Sequence, residues 1–128
     1  MWSRRGSIRS NINMQKVKPN IKFSDLEKLD IRVGTIEQVL DIEKSDKLVK
    51  LIVNFGDFKR TILVGMKKER ENPKEIEGKQ ALFVVNLESK EMMGEMSEGM
   101  LFDIGYSDGI TPVLAMPEKK VPDGVVAG

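Results

Sequence analysis

The basic side chains Lys47, Lys50, Lys59, Arg60, Lys67, Lys68 and Arg70 fall in a stretch whose apolar positions alternate. Bases on neighbouring strands of a small barrel can track a nucleic-acid backbone, and phosphate binding is the chemistry this spacing offers. Glu69 and Glu71 stand among the last of them, so the plain alternative is a solvated face of mixed charge. Farther along, VVNLESKEMMGEMSEGM (84–100) ends an apolar run at Asn86 and adds Lys90 and the pair Ser97-Glu98. An asparagine amide both donates and accepts, so Asn86 can meet a nucleotide or satisfy backbone groups where a buried strand ends. Ser97 and Glu98 can hold a turn by local hydrogen bonds, with Glu98 paired to Arg32. Met92, Met93, Met96 and Met100 surround two glycines. Thioether side chains repack readily, so these are either core filler or an adaptable surface for unfolded polypeptide.

The residues that are missing exclude more than those present. With no cysteine there is no disulfide framework, thiolate metal site or cysteine nucleophile, and with no histidine the commonest general base and zinc ligand are gone. No nucleophile-base-orienter set, phosphate-cradling glycine loop or metal-ligand cluster is recognisable, so neither catalysis, a metal nor a cofactor is expected. The longest apolar run, ALFVV (81–85), is far short of the roughly 18 residues a membrane span needs. No membrane partner is expected.

A net charge of +1 hides an asymmetry. Residues 1–22 hold Arg4, Arg5, Arg9, Lys16, Lys18 and Lys22, six of the 21 bases, and none of the 20 acids, which leaves the rest acidic by five charges. Without helical or strand periodicity, residues 1–22 read as a basic, flexible tail, and residues 23–128 as one folded domain. The expected compartment is the cytoplasm. An Arg- and Ser-rich start is also compatible with organellar import, and Met14 with an upstream start or an added segment.

The elements that would position these residues are short strands. SDLEKL, opening on a Ser24-to-Glu27 capping pattern, predicts a short helix that tucks Leu26 and Leu29 under the domain. Leu29, Ile31 and Val33 alternate, and the phase slips across Gly34, which predicts a bulge there. LVKLIVNFGDFKRTILVGM (48–66) is a hairpin turning at Gly56-Asp57. In KKERENPKEIEG, Asn72 as cap, Pro73 as first residue and Gly78 as stop predict a short helix before the strand KQALFVVNL. GMLFDIG and ITPVLAM supply the last strands, and residues 117–128 lie outside the barrel. This order predicts an all-β, five-stranded OB-fold barrel with short N-terminal and inter-strand helices and a C-terminal extension; a Greek-key or SH3-like barrel is the structural alternative.

LDIRVGTI (29–36), KSDKLVKLIVNFG (44–56), KRTILVGM (59–66), GKQALFVVNL (78–87), MSEGML (96–101) and PEKKVPDG (117–124) together resemble the tRNA-binding domain attached to methionyl- and phenylalanyl-tRNA synthetases. That domain also occurs as free-standing structure-specific tRNA-binding proteins and as CsaA-like secretion chaperones. The resemblance implies an OB fold that recognises folded tRNA by shape and phosphate contacts, without catalysis, as a homodimer. The methionyl type of synthetase is the favoured partner.

By position, the resemblance carries tRNA binding over to Lys47, Arg60, Lys67, Asn86, Lys90, Ser97 and Glu98. The family's loop after the asparagine is strongly basic, whereas this chain has Glu88 and Glu91 there, and of the expected bases only Lys90. That departure adds the alternative of a CsaA-like chaperone holding polypeptide on Met92, Met93 and Met96. Further expectations follow. Arg60, Lys67 and Lys90 should converge on one groove beside Asn86, and neutralising Arg60 or Lys67 should hardly affect stability. Val113, Leu114, Met116, Val121 and Val125 should form an apolar surface for a dimer.

Overall fold

One long strand, β1 (Ile31–Asp41), carries the sheet. In the computed structural model, which describes residues 14–128, the second part of β1 pairs antiparallel with β2 (Val49–Asn54) and its first part with β4 (Gln80–Val84). Serving two partners requires a bend. The register shifts between Ile36 and Gln38, so the bulge falls at Glu37, three residues beyond the glycine expected to make it. Gly34 has another job. A Cβ there would lie 2.6 Å from Val53 Cγ1 and 2.7 Å from Phe55 Cε1, so its bare backbone lets the core side chains of β2 and its turn come close.

β2 returns as β3 (Lys59–Val64), and the Phe55 amide donates to the Phe58 carbonyl at 2.8 Å across Gly56-Asp57, as expected for the hairpin. Alternation along β2 buries Val49, Leu51 and Val53, which pack with Ile36, Phe55, Ile62, Ile76 and Phe83 in one core. Between β3 and β4 stands the predicted helical segment, a 3-10 turn over Pro73–Ile76 whose Lys74 amide donates to Asn72 Oδ1 at 3.2 Å. It buries Ile76.

Sheet order is β3-β2-β1-β4-β7, with β7 spanning Met100–Leu101. The outer strands meet again through the residues ahead of β7: the Glu98 amide donates to the Thr61 carbonyl at 2.8 Å. This gives the nearly closed, five-stranded antiparallel barrel of OB type that the strand order predicts. The methionine-rich stretch is a hairpin, β5 (Lys90–Met92) with β6 (Glu95–Ser97), and is tied to β2 by a Lys50–Glu95 ion pair at 3.1 Å. Its turn, Met93-Gly94, takes positive φ at both residues, 53° and 79°. Methionine rarely adopts such a backbone, which is why the turn is hard to read from sequence. β8 (Asp103–Ile104) pairs with β9 (Val113–Leu114).

The C-terminal extension lies beside the barrel and is hydrogen-bonded to it. Gly124 donates to the Val33 carbonyl at 2.7 Å and Ala127 to that of Ile31 at 2.8 Å, along the first part of β1. Asp123 Oδ1 accepts from Thr35 Oγ1 at 2.6 Å and Gln80 Nε2 at 2.9 Å. Of the apolar residues expected at a dimer surface, Leu114 is buried and Val121 half-buried, while Val113, Met116 and Val125 remain exposed.

At the other end, the helix is shorter and shallower than expected. α1 covers Phe23–Leu26, is capped by the Lys22 amide donating to Asp25 Oδ2, and leaves Leu26 and Leu29 exposed at 48% and 46%. Four residues make one turn, with too little apolar face to dock. Residues 14–22 have no regular structure and are exposed; the expectation of a tail over residues 1–13 lies outside the described residues.

Candidate nucleic-acid interface

Two hollows flank the seam between β3 and β7 and share Leu63 and Met100, forming one trough. The first, about 530 Å³, is lined also by Lys47, Gly65, Lys68, Glu69, Asp103 and Tyr106. Leu87, Glu88, Lys90, Met92 and Ser97 line the second, of about 510 Å³. The result is an apolar floor with charged rims. Among the described residues, the ammonium groups of Lys47, Lys68 and Lys90 have no hydrogen-bond or ion-pair partner, so their charge is open to a ligand.

The acids of the first hollow are perturbed. Burial pushes the Asp103 carboxyl above its ordinary range, and burial, helped by the nearby charge of Asp103, does the same to Glu69. Their negative charge is therefore relinquished earlier on acidification than that of an exposed carboxylate.

Arg60 and Lys67, also picked out from sequence, have partners within the protein. Arg60 lies over the Phe58 ring at 4.9 Å and donates through Nη1 to the carbonyls of Val85 at 3.0 Å and Glu98 at 3.1 Å. Phe58 stacks in turn on Phe55. Lys67 Nζ donates to the carbonyls of Ile42 and Ser45 and pairs with Asp41, fastening the loop between β1 and β2. It faces a different hollow, with Val39, Asp41, Val49 and Asn72. The expected convergence of Arg60, Lys67 and Lys90 on one groove is thus not what the fold makes, because backbone carbonyls claim two of the three charges.

Asn86 meets backbone groups: Oδ1 accepts from the Asp30 amide at 2.9 Å and Nδ2 donates to the Lys28 carbonyl at 2.7 Å. Ser97 and Glu98 close the seam. Ser97 Oγ accepts from the Leu63 amide at 3.0 Å and Glu98 Oε1 from the Thr61 amide at 2.9 Å. Glu98 does not pair with Arg32, whose guanidinium is engaged by Asp30 at 2.8 Å. Met92 is half-buried against the trough, while Met93 and Met96 are 49% and 51% exposed on the hairpin.

Sequence reasoning missed Tyr106, 70% exposed at the trough's end on a 3-10 turn over Tyr106–Asp108. The signal was present as GYSDG. Gly105 and Gly109 both take left-handed backbone, with φ of 103° and 79°, and together present the chain's one tyrosine to solvent.

Residues 31–126 match the family model described as "Putative tRNA binding domain". A methionine–tRNA ligase of Parabacteroides distasonis is 36% identical over 122 residues, which cover 95% of this chain and 18% of the ligase. The chain thus spans under a fifth of the length of that curated relative. The MetRS-related protein of Pyrococcus horikoshii superposes with a TM-score of 0.78 at 32% identity, covering 87% of this chain and 100% of the other. The chaperone CsaA of Bacillus anthracis str. Ames superposes with a TM-score of 0.72 at 25% identity, covering 86% and 100%.

Proposed function

This chain belongs to the tRNA-binding domain family, and from that premise we propose that it is a non-catalytic module that binds folded tRNA, free-standing or as an accessory to a methionyl-type synthetase. The observation that carries the reading is the set of unpartnered ammonium groups, Lys47, Lys68 and Lys90, arranged along one trough. Aromatic platforms are few, since among the described residues Tyr106 is the trough's one ring, so the RNA is held by phosphate and 2′-hydroxyl contacts more than by stacked bases. Titrating unfractionated tRNA at several salt concentrations tests this. Each phosphate contact should contribute about 0.7 to 0.9 to the slope of log affinity against log salt, and binding that ignores salt would remove the reading.

A second reading has its own observation. Met92 and Met100 line the trough beside Leu63 and Leu87, with Met93 and Met96 exposed nearby, a flexible apolar surface suited to unfolded polypeptide. An unfolded-peptide competitor that displaces tRNA, and itself binds independently of salt, would favour it.

The assembly we propose is a homodimer. Phe23, Leu26 and Leu29 are exposed just ahead of β1, and Val125 and Val126 are exposed on the segment paired beside its start. A two-fold contact would cover this patch. Light scattering at micromolar concentration should give twice the chain mass; the mass of one chain would remove the proposal.

A further inference from the structure

The trough is nearly neutral by itself. Lys47, Lys68 and Lys90 are balanced along its walls by Glu69, Asp103 and Glu88. The three ammonium groups can still reach phosphates, but the acids beside them offset much of the attraction, so additional positive charge would strengthen it.

Residues 14–22 carry Lys16, Lys18 and Lys22, no acid, and are exposed throughout. A merely solvated segment has no need to return to the barrel, but this one does. The Gln15 amide donates to Asp108 Oδ1 at 2.9 Å and Gln15 Nε2 donates to the Ser107 carbonyl at 2.7 Å. Both acceptors belong to the turn that presents Tyr106 to the first hollow. At its other end the segment enters α1, and Lys28 beyond it is held through its carbonyl by Asn86, the residue before Leu87 and Glu88 of the second hollow. The segment is therefore fastened at Gln15 beside the first hollow, and the chain that follows it is held at Lys28 near the second.

We propose that residues 14–22 form a basic arm, pinned by Gln15 to the Tyr106–Asp108 turn, that contacts RNA phosphates and supplies the positive charge the trough lacks. This rests on the tRNA-binding reading. The pin matters because an arm already held in place gives up less conformational freedom when RNA binds.

The full chain, titrated with unfractionated tRNA across a salt series, tests the arm. Replacing Lys16, Lys18 and Lys22 together by alanine should weaken binding and flatten the salt slope by roughly two units, as three lost phosphate contacts require. Asp108→Ala separates pinning from charge. Removing an acid tightens polyanion binding if Asp108 acts only as a charge, whereas losing the pin weakens binding several-fold with the slope kept; weakening is expected, and Gln15→Ala should act in the same direction. Thermal melts establish that each variant is folded. Wild-type affinity and slope in the triple variant, or tighter binding by Asp108→Ala, would overturn the arm while leaving the tRNA reading in place. No salt-dependent binding by the unaltered chain would overturn both.

Discussion

The Ser97 hydroxyl accepts a hydrogen bond from the Leu63 amide at 3.0 Å across the seam that closes the barrel, with both residues buried. The same hydroxyl reaches the Gly99 carbonyl at 3.2 Å. Ser97→Ala leaves the amide without a partner and without water, a loss of about 1–3 kcal/mol. Urea unfolding should show a lower midpoint with an unchanged slope. A midpoint equal to wild type would mean that the seam does not depend on this bond.

Lys67 should prove to be a stability residue. Its ammonium joins the carbonyls of Ile42 at 2.8 Å and Ser45 at 2.6 Å to the Asp41 carboxylate at 2.6 Å, adding to the bonds by which Ser45 Oγ accepts from the Lys47 and Leu48 amides in the same loop. Lys67→Met keeps the stem and removes the charge, and hydrogen bonds to charged groups put the expected loss at about 2 kcal/mol. This reverses the expectation drawn from sequence. Equal thermal unfolding of variant and wild type would restore it.

Glu88 and Glu91 should oppose RNA. Glu88 lines the second hollow and Glu91 is exposed on β5, with Lys90 between them. Replacing both by lysine should tighten tRNA binding at low salt and steepen the salt slope. If both leave tRNA affinity unchanged while Met93→Ala abolishes peptide binding, the polypeptide reading replaces the tRNA one.

Acidification should have opposite effects at two places. Asp103 and Glu69 have raised carboxyl pKa values, so below neutrality they take up protons before ordinary carboxylates do, and the trough becomes more positive. tRNA affinity should therefore rise as pH falls toward the ordinary carboxylate range near about 4. Asp103→Asn should bind more tightly at neutral pH and respond less to acid. For stability, a raised folded-state pKa means that the native chain binds more protons, so these two groups favour folding increasingly as pH falls through that window. Asp30 works the other way. Its hydrogen bond from Arg32 holds the carboxyl below the usual range, so its contribution is present above the ordinary aspartate pKa and lost as pH falls through the lowered one. Asp30→Asn should blunt acid unfolding at that lower end.

The positions of β1 to β4, the Gly56-Asp57 turn and the Asn72-Pro73 start of the 3-10 turn were legible in the sequence, because each depends on neighbours a few residues away. Alternation decides which face of a strand is buried, and Pro73 can stand at a helical start because no amide is needed there. The barrel and the family resemblance followed from the order of those local signals. The fate of individual polar groups did not. Arg60 finds carbonyls 25 and 38 residues away, Ser97 meets an amide 34 residues back, and Asn86 reaches 56 and 58 residues toward the start of β1. A base reads the same in sequence whether its charge faces solvent or a backbone carbonyl. Closing the barrel chose between these outcomes, because it buried the edge groups of β3 and made any nearby donor or acceptor more valuable inside than in water. Left over from that demand, Lys47, Lys68 and Lys90 are the bases that line the trough with their charge still free.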